Sequence, residues 1–323
     1  MRAEPLRRGS HIRVIAPSRS LAMISADTRA VADRRLADLG LSISFGSHAE
    51  ECDEFVSTSI DHRVSDLHAA FADPTVDGIL TVIGGYNSNQ LLPEIDWDLI
   101  AANPKIFCGY SDITALTCAI HAHTGLVTHS GPHYSTFGME QHFDTTLRHF
   151  VDALFRPQRR IVEHTTAWTD DAWFIDQHDR TLRPTDGPWV LHPGTAAGTL
   201  IGGNLCTFNL LHGTDHMPSL ESSVLFLEDD YLSFPEIFDR DLTSLSQQPD
   251  FDGVRAILIG RFQPSVDMTR AKLQHIVDTN DRLARIPIVA NLDFGHTDPI
   301  MTIPVGGRAW LDATEDRCQL EVE

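Results

Sequence analysis

Residues 104–120 read PKIFCGYSDITALTCAI, an apolar run over 105–108 that passes through Gly109 and Ser111 directly into a helix-period segment over 112–121. A run too short for a helix, followed at once by apolar residues at spacings of three and four, is the pattern of a buried strand feeding a helix. The same alternation recurs on the N-terminal side. Residues 11–16 read as a strand, 27–39 as a helix closed by Gly40, and 41–45 as a second strand. An amphipathic stretch with Val64, Leu67 and Phe71 follows, then a strand over 78–83 ending in the pair Gly84 and Gly85. Strands alternating with helices build a parallel sheet with helices on its faces. The first half is therefore expected to be a doubly wound, flavodoxin- or Rossmann-like domain. In such sheets ligands sit at the carboxyl ends of the strands, where Gly84, Gly85, Gly109 and Ser111 all fall.

On the C-terminal side the pattern breaks. Residues 156–190 are polar, with Trp168, Trp173, Trp189 and prolines at 157, 184 and 188, and read as a linker containing a long mobile loop. Regular structure resumes with a strand over 199–201, a helix closed by Gly213, and a strand over 224–227. A helix bearing Phe238, Leu242 and Leu245 comes next, then strands over 256–260 and 288–290. The expected organisation is an N-terminal α/β domain over 1–157, a linker and loop over 158–190, and a smaller C-terminal α/β domain over 191–323. A length of 323 residues suits two ordinary domains.

Composition narrows the partners. The 45 acidic and 25 basic side chains give a formal charge of -20, which repels phosphate backbones and anionic lipid headgroups. Nucleic-acid polymers and membrane surfaces are thus not expected partners. The five cysteines, at 52, 108, 118, 206 and 318, are odd in number, widely spaced and lack a C-x-x-C pair, which points to a reducing compartment and away from structural zinc. The short apolar run before Pro17 leaves no room for a signal-peptide core, and no other run approaches the roughly 20 residues of a bilayer span. A cytoplasmic location is the expectation.

Four places could carry chemistry. Ser111, at a strand-to-helix turn, reads either as an N-cap or as an exposed nucleophile beside helical N–H groups; the G-x-S-x-G elbow is half met, because Ile113 holds the last glycine position. The pair Gly84 and Gly85 reads either as a tight turn or as a place where a backbone N–H approaches a substrate oxygen. Glu228, Asp229 and Asp230 close an apolar strand and suit a solvated turn, a metal, or a carboxylate that accepts a histidine N–H. His296 lies in a loop bounded by glycine and proline, free to point into a cleft. Two further features are weaker. Gly194, Gly198, Gly202 and Gly203 match no phosphate-binding fingerprint, and His121, His123, His129 and His133 lack a zinc spacing.

Taken together, GGYNSNQLL (84–92), CGYSDITAL (108–116) with THSGP (128–132), GTLIGGNL (198–205), LFLEDD (225–230) with FDRDLTSL (238–245), and FGHTDP (294–299) with TIPVG (302–306) resemble the LD-carboxypeptidase family of serine peptidases in order and spacing. The GGYNSNQ turn and the tryptophan-bearing insertion are similar to the microcin C immunity subgroup. The resemblance implies a nucleophile at Ser111, an acidic member at Glu228 and a base at His296. It also implies an oxyanion hole from the N–H groups of Gly85, or its neighbour Gly84, and Asp112. Substrate contacts would come from Asn204 and from Trp173 or Trp168, the tryptophan stacking on an adenine. The active site would lie at the domain junction, usually in a homodimer, with no metal or organic cofactor. Two substrate classes are implied: an aminoacyl sulfamoyl or phosphoramidate adenylate, and a muramoyl tetrapeptide losing its terminal D-alanine. A binding module that kept the fold without cleaving is the alternative outside the enzymes.

Overall fold

The computed structural model describes residues 1–315 and 317–323, which form two large sheets and a two-stranded ribbon. The first holds β1 (His11–Ile15), β2 (Ser42–Phe45), β3 (Gly78–Thr81), β4 (Ile106–Cys108) and β5 (Thr128–Ser130), parallel in the order β5-β4-β3-β1-β2. Between and after them run α1 (Ala26–Asp38), α2 (Ile60–Ala72), α3 (Trp97–Ala102), α4 (Thr114–Thr124) and α5 (Asp144–Leu154). All four residues of β3 are buried, as a central parallel strand covered on both faces requires. The helix starts are set locally: Ser25 Oγ accepts the Thr28 N–H at 3.1 Å and Ser59 Oγ accepts that of His62 at 3.2 Å.

The rest of the chain supplies β6 (Arg160–Ile161), a two-stranded ribbon of β7 (Ala167–Trp168) and β8 (Arg183–Pro184), β9 (Trp189–His192) and β10 (Gly194–Asn204). Then come α6 (Leu205–Asn209), β11 (Ser223–Glu228), α7 (Pro235–Ser246), β12 (Ala256–Gly260), α8 (Arg270–Thr279) and β13 (Ile288–Leu292). β14 (Ile303–Val305), β15 (Arg308–Thr314) and β16 (Arg317–Val322) end the chain. The second sheet is mixed, ordered β6-β16-β15-β10-β11-β12-β13-β9, with a parallel centre from β10 to β13 and antiparallel flanks. The protein is thus α/β with two parts, a mostly parallel N-terminal sheet and a mixed C-terminal one.

Four details differ from the sequence reading. Residues 158–190, expected as linker and loop, contribute edge strand β6 and the first half of β9 as well as the ribbon. β14 crosses back to pair antiparallel with β5, so the far end of the chain completes the first sheet. The helix expected over 112–121 opens with a single 3-10 turn at Ser111–Ile113 before α4 begins. The helix expected to close at Gly213 ends at Asn209, and turns carry the chain on to Gly213.

α4 explains why the two halves meet where they do. Every residue from Thr114 to Ile120 is buried, because the helix packs against α3 and β5 of the first half and against α6 and β10 of the second within one continuous core. At its N-terminus Thr114 Oγ1 accepts the Asn204 N–H at 3.0 Å, and a Cβ on Gly203 would sit 2.4 Å from that oxygen. This close approach brings the carboxyl end of β4 against the carboxyl ends of β10 and β11. Among the described residues no helix is long and apolar enough to cross a membrane.

Candidate active site

Ser111 leaves β4 in the left-handed region, at φ 62. That conformation costs a non-glycine residue of order 1–3 kcal/mol and points to a position held by its surroundings. Its hydroxyl caps no helix; α4 has no side-chain cap, and Ser111 Oγ lies 3.1 Å from His296 Nε2. On the far side of the ring His296 Nδ1 lies 2.6 Å from Glu228 Oε2. Ser111, His296 and Glu228, far apart in sequence, therefore stand in one hydrogen-bonded series.

Each member is positioned by a different element. Glu228 is the last residue of β11 and is 4% exposed. His296 sits in the loop after β13, behind Gly295 at φ 104, where a Cβ would lie 2.9 Å from Glu228 Oε2. Any side chain there would be strained by the backbone and would crowd the carboxylate. The Tyr110 ring lies 5.3 Å from that of His296 and stacks at 4.3 Å on His133. Burial pushes the His133 imidazole down to about 3, so a neutral ring backs the site. Burial also acts to lower the His296 imidazole. The Glu228 charge and hydrogen bond, with Asp230 and Asp229 behind, outweigh it and hold His296 above the ordinary 6.5. Asp229 is raised to about 7, first by burial and then by the Glu228 charge.

The glycine turn faces Ser111 from β3. A Cβ on Gly84 would stand 2.9 Å from Ser111 Cβ, 3.0 Å from its Oγ and 3.5 Å from the Asp112 nitrogen, so the missing side chain leaves that space open. Gly85 turns the other way, toward Ser18 and Arg19. The Asp112 carboxylate, 2% exposed, binds the turn from beneath: one oxygen accepts from Ser18 Oγ at 2.6 Å, the Asn87 N–H at 3.1 Å and the Ser88 N–H at 2.9 Å. Sequence reasoning found the Asp112 backbone but missed this carboxylate, whose partners lie 24 to 94 residues away.

Other expected residues fall as follows. Asn204 is buried; its Oδ1 accepts the Thr207 N–H at 3.0 Å and its Nδ2 lies 3.5 Å from Asp229 Oδ1, so it adjoins the acidic end of β11. Trp168 lies in the ribbon, with the Arg183 and Arg261 guanidinium groups 5.6 and 5.3 Å from its ring. Trp173 packs against the core cluster of the first half that contains Val14, Leu36 and Phe137. The segment between β7 and β8 crosses between the two sheets. Thr169 exchanges two backbone hydrogen bonds of 2.9 Å with Asp298, two residues past His296, while the Gln177 amide donates to the Gly138 carbonyl at 2.9 Å.

The four histidines from 121 to 133 do not converge. His121 meets the Leu126 carbonyl, His123 meets His216, and His133 meets Thr81. His129 is buried on β5. Gly194, Gly198, Gly202 and Gly203 form part of β10 rather than a phosphate loop. Among the described residues, His48, Glu51 and His62 are the group with ligand atoms close enough for a metal ion. Their two rings stack at 3.9 Å, so one ion cannot lie in both ring planes, and Glu51 Oε1 and Oε2 instead take the two Nδ1 atoms at 2.8 and 2.6 Å.

Comparison with known proteins places the chain in a family. Residues 12–131 match the LD-carboxypeptidase N-terminal domain and 197–311 the LD-carboxypeptidase C-terminal domain. YocD of Bacillus subtilis (strain 168), named only provisionally as a carboxypeptidase, is 46% identical over 100% of this chain and 99% of its own. The crystal structure of an MccF-like protein from Bacillus anthracis str. Ames is 47% identical, covers 100% of this chain and 99% of its own, and superposes with a TM-score of 0.98. The microcin C7 self-immunity protein MccF of Escherichia coli is 33% identical over 84% of this chain and 82% of its own. A structure of MccF in complex with glutamyl sulfamoyl guanosine, 29% identical over 99% of this chain and 97% of that one, has a TM-score of 0.89. The chain belongs to the LD-carboxypeptidase family of serine peptidases.

Proposed function

We propose that the protein hydrolyses an amide bond through Ser111 as nucleophile, His296 as general base and Glu228 as the carboxylate that orients the base. The observation that carries this reading is the His296 ring between Ser111 Oγ at 3.1 Å and Glu228 Oε2 at 2.6 Å, with Ser111 held in a left-handed turn. A serine hydroxyl is a poor nucleophile at neutral pH, so His296 Nε2 takes its proton as Oγ attacks the carbonyl carbon. Glu228 keeps the other ring proton on Nδ1 and stabilises the imidazolium that forms. The tetrahedral oxyanion is assigned to the space left by Gly84, beside the Asp112 nitrogen, with the N–H groups of Asp112 and Gly85 as its donors. Such donors are each worth about 10²- to 10³-fold in rate. His296 then protonates the leaving nitrogen, and a water activated by the same imidazole hydrolyses the acyl-enzyme.

For the substrate, we assign the amide joining an acidic amino acid to a sulfamoyl or phosphoramidate adenylate. Support comes from the relatives: MccF has been solved with glutamyl sulfamoyl guanosine, with aspartyl sulfamoyl adenosine and, as a variant, with adenosine monophosphate. Trp173 or Trp168 is assigned to the base: Trp168 faces the Arg183 and Arg261 guanidinium groups, and Trp173 packs on the first half's core. The test is turnover by mass spectrometry of aspartyl sulfamoyl adenosine beside a murein tetrapeptide, with wild type and Ser111→Ala in parallel. Cleavage of the adenylate by wild type alone is expected. Cleavage of the tetrapeptide alone moves the protein to cell-wall recycling, and equal cleavage by Ser111→Ala overturns the mechanism.

A further inference from the structure

The carboxylates gathered here pose a problem for any anionic substrate. Glu228, Asp229 and Asp230 close β11 and Asp112 lies beneath the glycine turn, in a chain of formal charge -20. A substrate with a negative group next to its scissile amide is repelled by that field unless a fixed cation offsets it locally.

Arg19 adjoins the glycine turn. It follows Ser18 on the loop after β1, and its backbone N–H points at the Gly84 carbonyl at 3.4 Å. A Cβ on Gly85 would lie 2.9 Å from Arg19 Cγ, while one on Gly84 would lie 2.9 Å from Ser111 Cβ. Arg19 and Ser111 therefore flank the same two-glycine turn. The Arg19 guanidinium lies 5.0 Å from the centre of the Tyr86 ring, a cation–π contact that holds it without using its hydrogen-bond donors. Among the described residues its side chain has no carboxylate or carbonyl partner. Arg63 nearby is the contrast, since it donates to the carbonyls of Pro17 and Asn87 and to Gln90 Oε1 and so serves the fold.

Both arginines, with Tyr86, Phe55 and Thr58, line a cavity of about 370 Å³ beside the turn. Its one carboxylate, Asp53, is turned into its own loop, where Oδ1 accepts the Phe55 and Ser57 N–H groups at 2.8 and 3.0 Å. A planar, always charged fork with free donors, held by an aromatic face, is suited to carboxylate or phosphoryl oxygens.

We infer that Arg19 is a specificity-determining residue that receives the anionic group of the substrate, a carboxylate or comparable oxyanion borne next to the scissile amide. This rests on the hydrolase reading above. Both substrate classes carry such a group: the side chain of an aspartyl adenylate, or the terminal carboxylate of a tetrapeptide.

The test measures binding by calorimetry to protein carrying Ser111→Ala, with Arg19 intact or changed to Gln or Lys. The ligands are two pairs: aspartyl against asparaginyl sulfamoyl adenosine, and a murein tetrapeptide against its C-terminal amide. With Arg19 intact, the charged member of one pair is bound more tightly than its neutral counterpart. Arg19→Gln weakens the charged member about 10- to 100-fold, the loss of a charge-assisted hydrogen bond, and erases the preference. Arg19→Lys restores part of it. In the Ser111 enzyme the same loss enters KM rather than kcat. An unchanged preference in Arg19→Gln, or equal weakening of charged and neutral members, overturns the inference alone. If no ligand of either pair binds to protein with Arg19 intact, the inference and the substrate reading fall together.

Discussion

Replacing Gly84 with alanine tests whether the geometry around Ser111 is what makes it reactive. Gly84 does not adopt a left-handed φ, so alanine meets no backbone penalty there, and the effect is purely one of space. The new methyl would stand 2.9 Å from Ser111 Cβ and 3.0 Å from its Oγ, against an ordinary contact of 3.4 Å or more. Something must move by about half an ångström. Ser111 has little freedom to yield, because it is held at φ 62 with Gly109 behind it packed on Thr81. The methyl also occupies the space assigned to the oxyanion. Misplacing reacting atoms on this scale costs about 10²-fold in rate, whereas overpacking by one methyl costs about 1–3 kcal/mol of stability. The assay is the rate of Ser111 labelling by a fluorophosphonate, which needs the activated serine and no particular substrate, with a denaturation midpoint measured beside it. A folded Gly84→Ala protein that labels about 100-fold more slowly is the expected result. Wild-type labelling by a folded variant would show that the space is irrelevant and would refute the reasoning.

Three further outcomes follow from the contacts described. Because His296 must be neutral to act as base and is held above 6.5, kcat/KM rises with pH and its acid limb lies above pH 6.5. Glu228→Gln removes the main raising cause, so a pH–rate profile should show the limb moved downward and the maximal rate reduced, by up to about 10⁴-fold as for the analogous triad change. Asp112→Ala releases two N–H groups of the glycine turn and the Ser18 hydroxyl and should lower kcat more than it raises KM. Asp112→Asn, which keeps an acceptor oxygen, should recover much of the loss in the same steady-state assay. Arg261→Ala leaves Asp293 buried without its ion-pair partner at 2.7 Å and should cost about 3–5 kcal/mol in urea denaturation. The same change should alter tryptophan fluorescence, since Arg261 faces Trp168.

The core of the fold was legible because its signals are local. β3 and β4 are short, fully buried apolar runs, β1 buries Ile12, Val14 and Ile15, and α1 and α2 each carry a serine cap. β14 was not legible as part of the first sheet. Three apolar residues fix neither a partner nor a direction, and its pairing with β5 joins positions more than 170 residues apart. Residues 158–190 lacked apolar periodicity because their strands are two to four residues long and lie at edges or in the ribbon. For the site, residue types at strand ends made Ser111, Glu228 and His296 candidates, and only the agreement of several motifs gave them roles. What the sequence could not convey was which side chain faces which. The opposed faces of Gly84 and Gly85, the three hydrogen bonds to the Asp112 carboxylate and the unpartnered Arg19 guanidinium all depend on loops brought together by the fold.

The central claim is that Ser111 becomes acylated by the substrate with His296 as base. Rapid acid quench of enzyme mixed with aspartyl sulfamoyl adenosine, followed by peptide mapping, measures it directly. The account predicts an aspartyl adduct on the peptide containing Ser111, formed far more slowly in His296→Ala and absent in Ser111→Ala. Turnover without an adduct at Ser111, or an adduct on another residue, would contradict it.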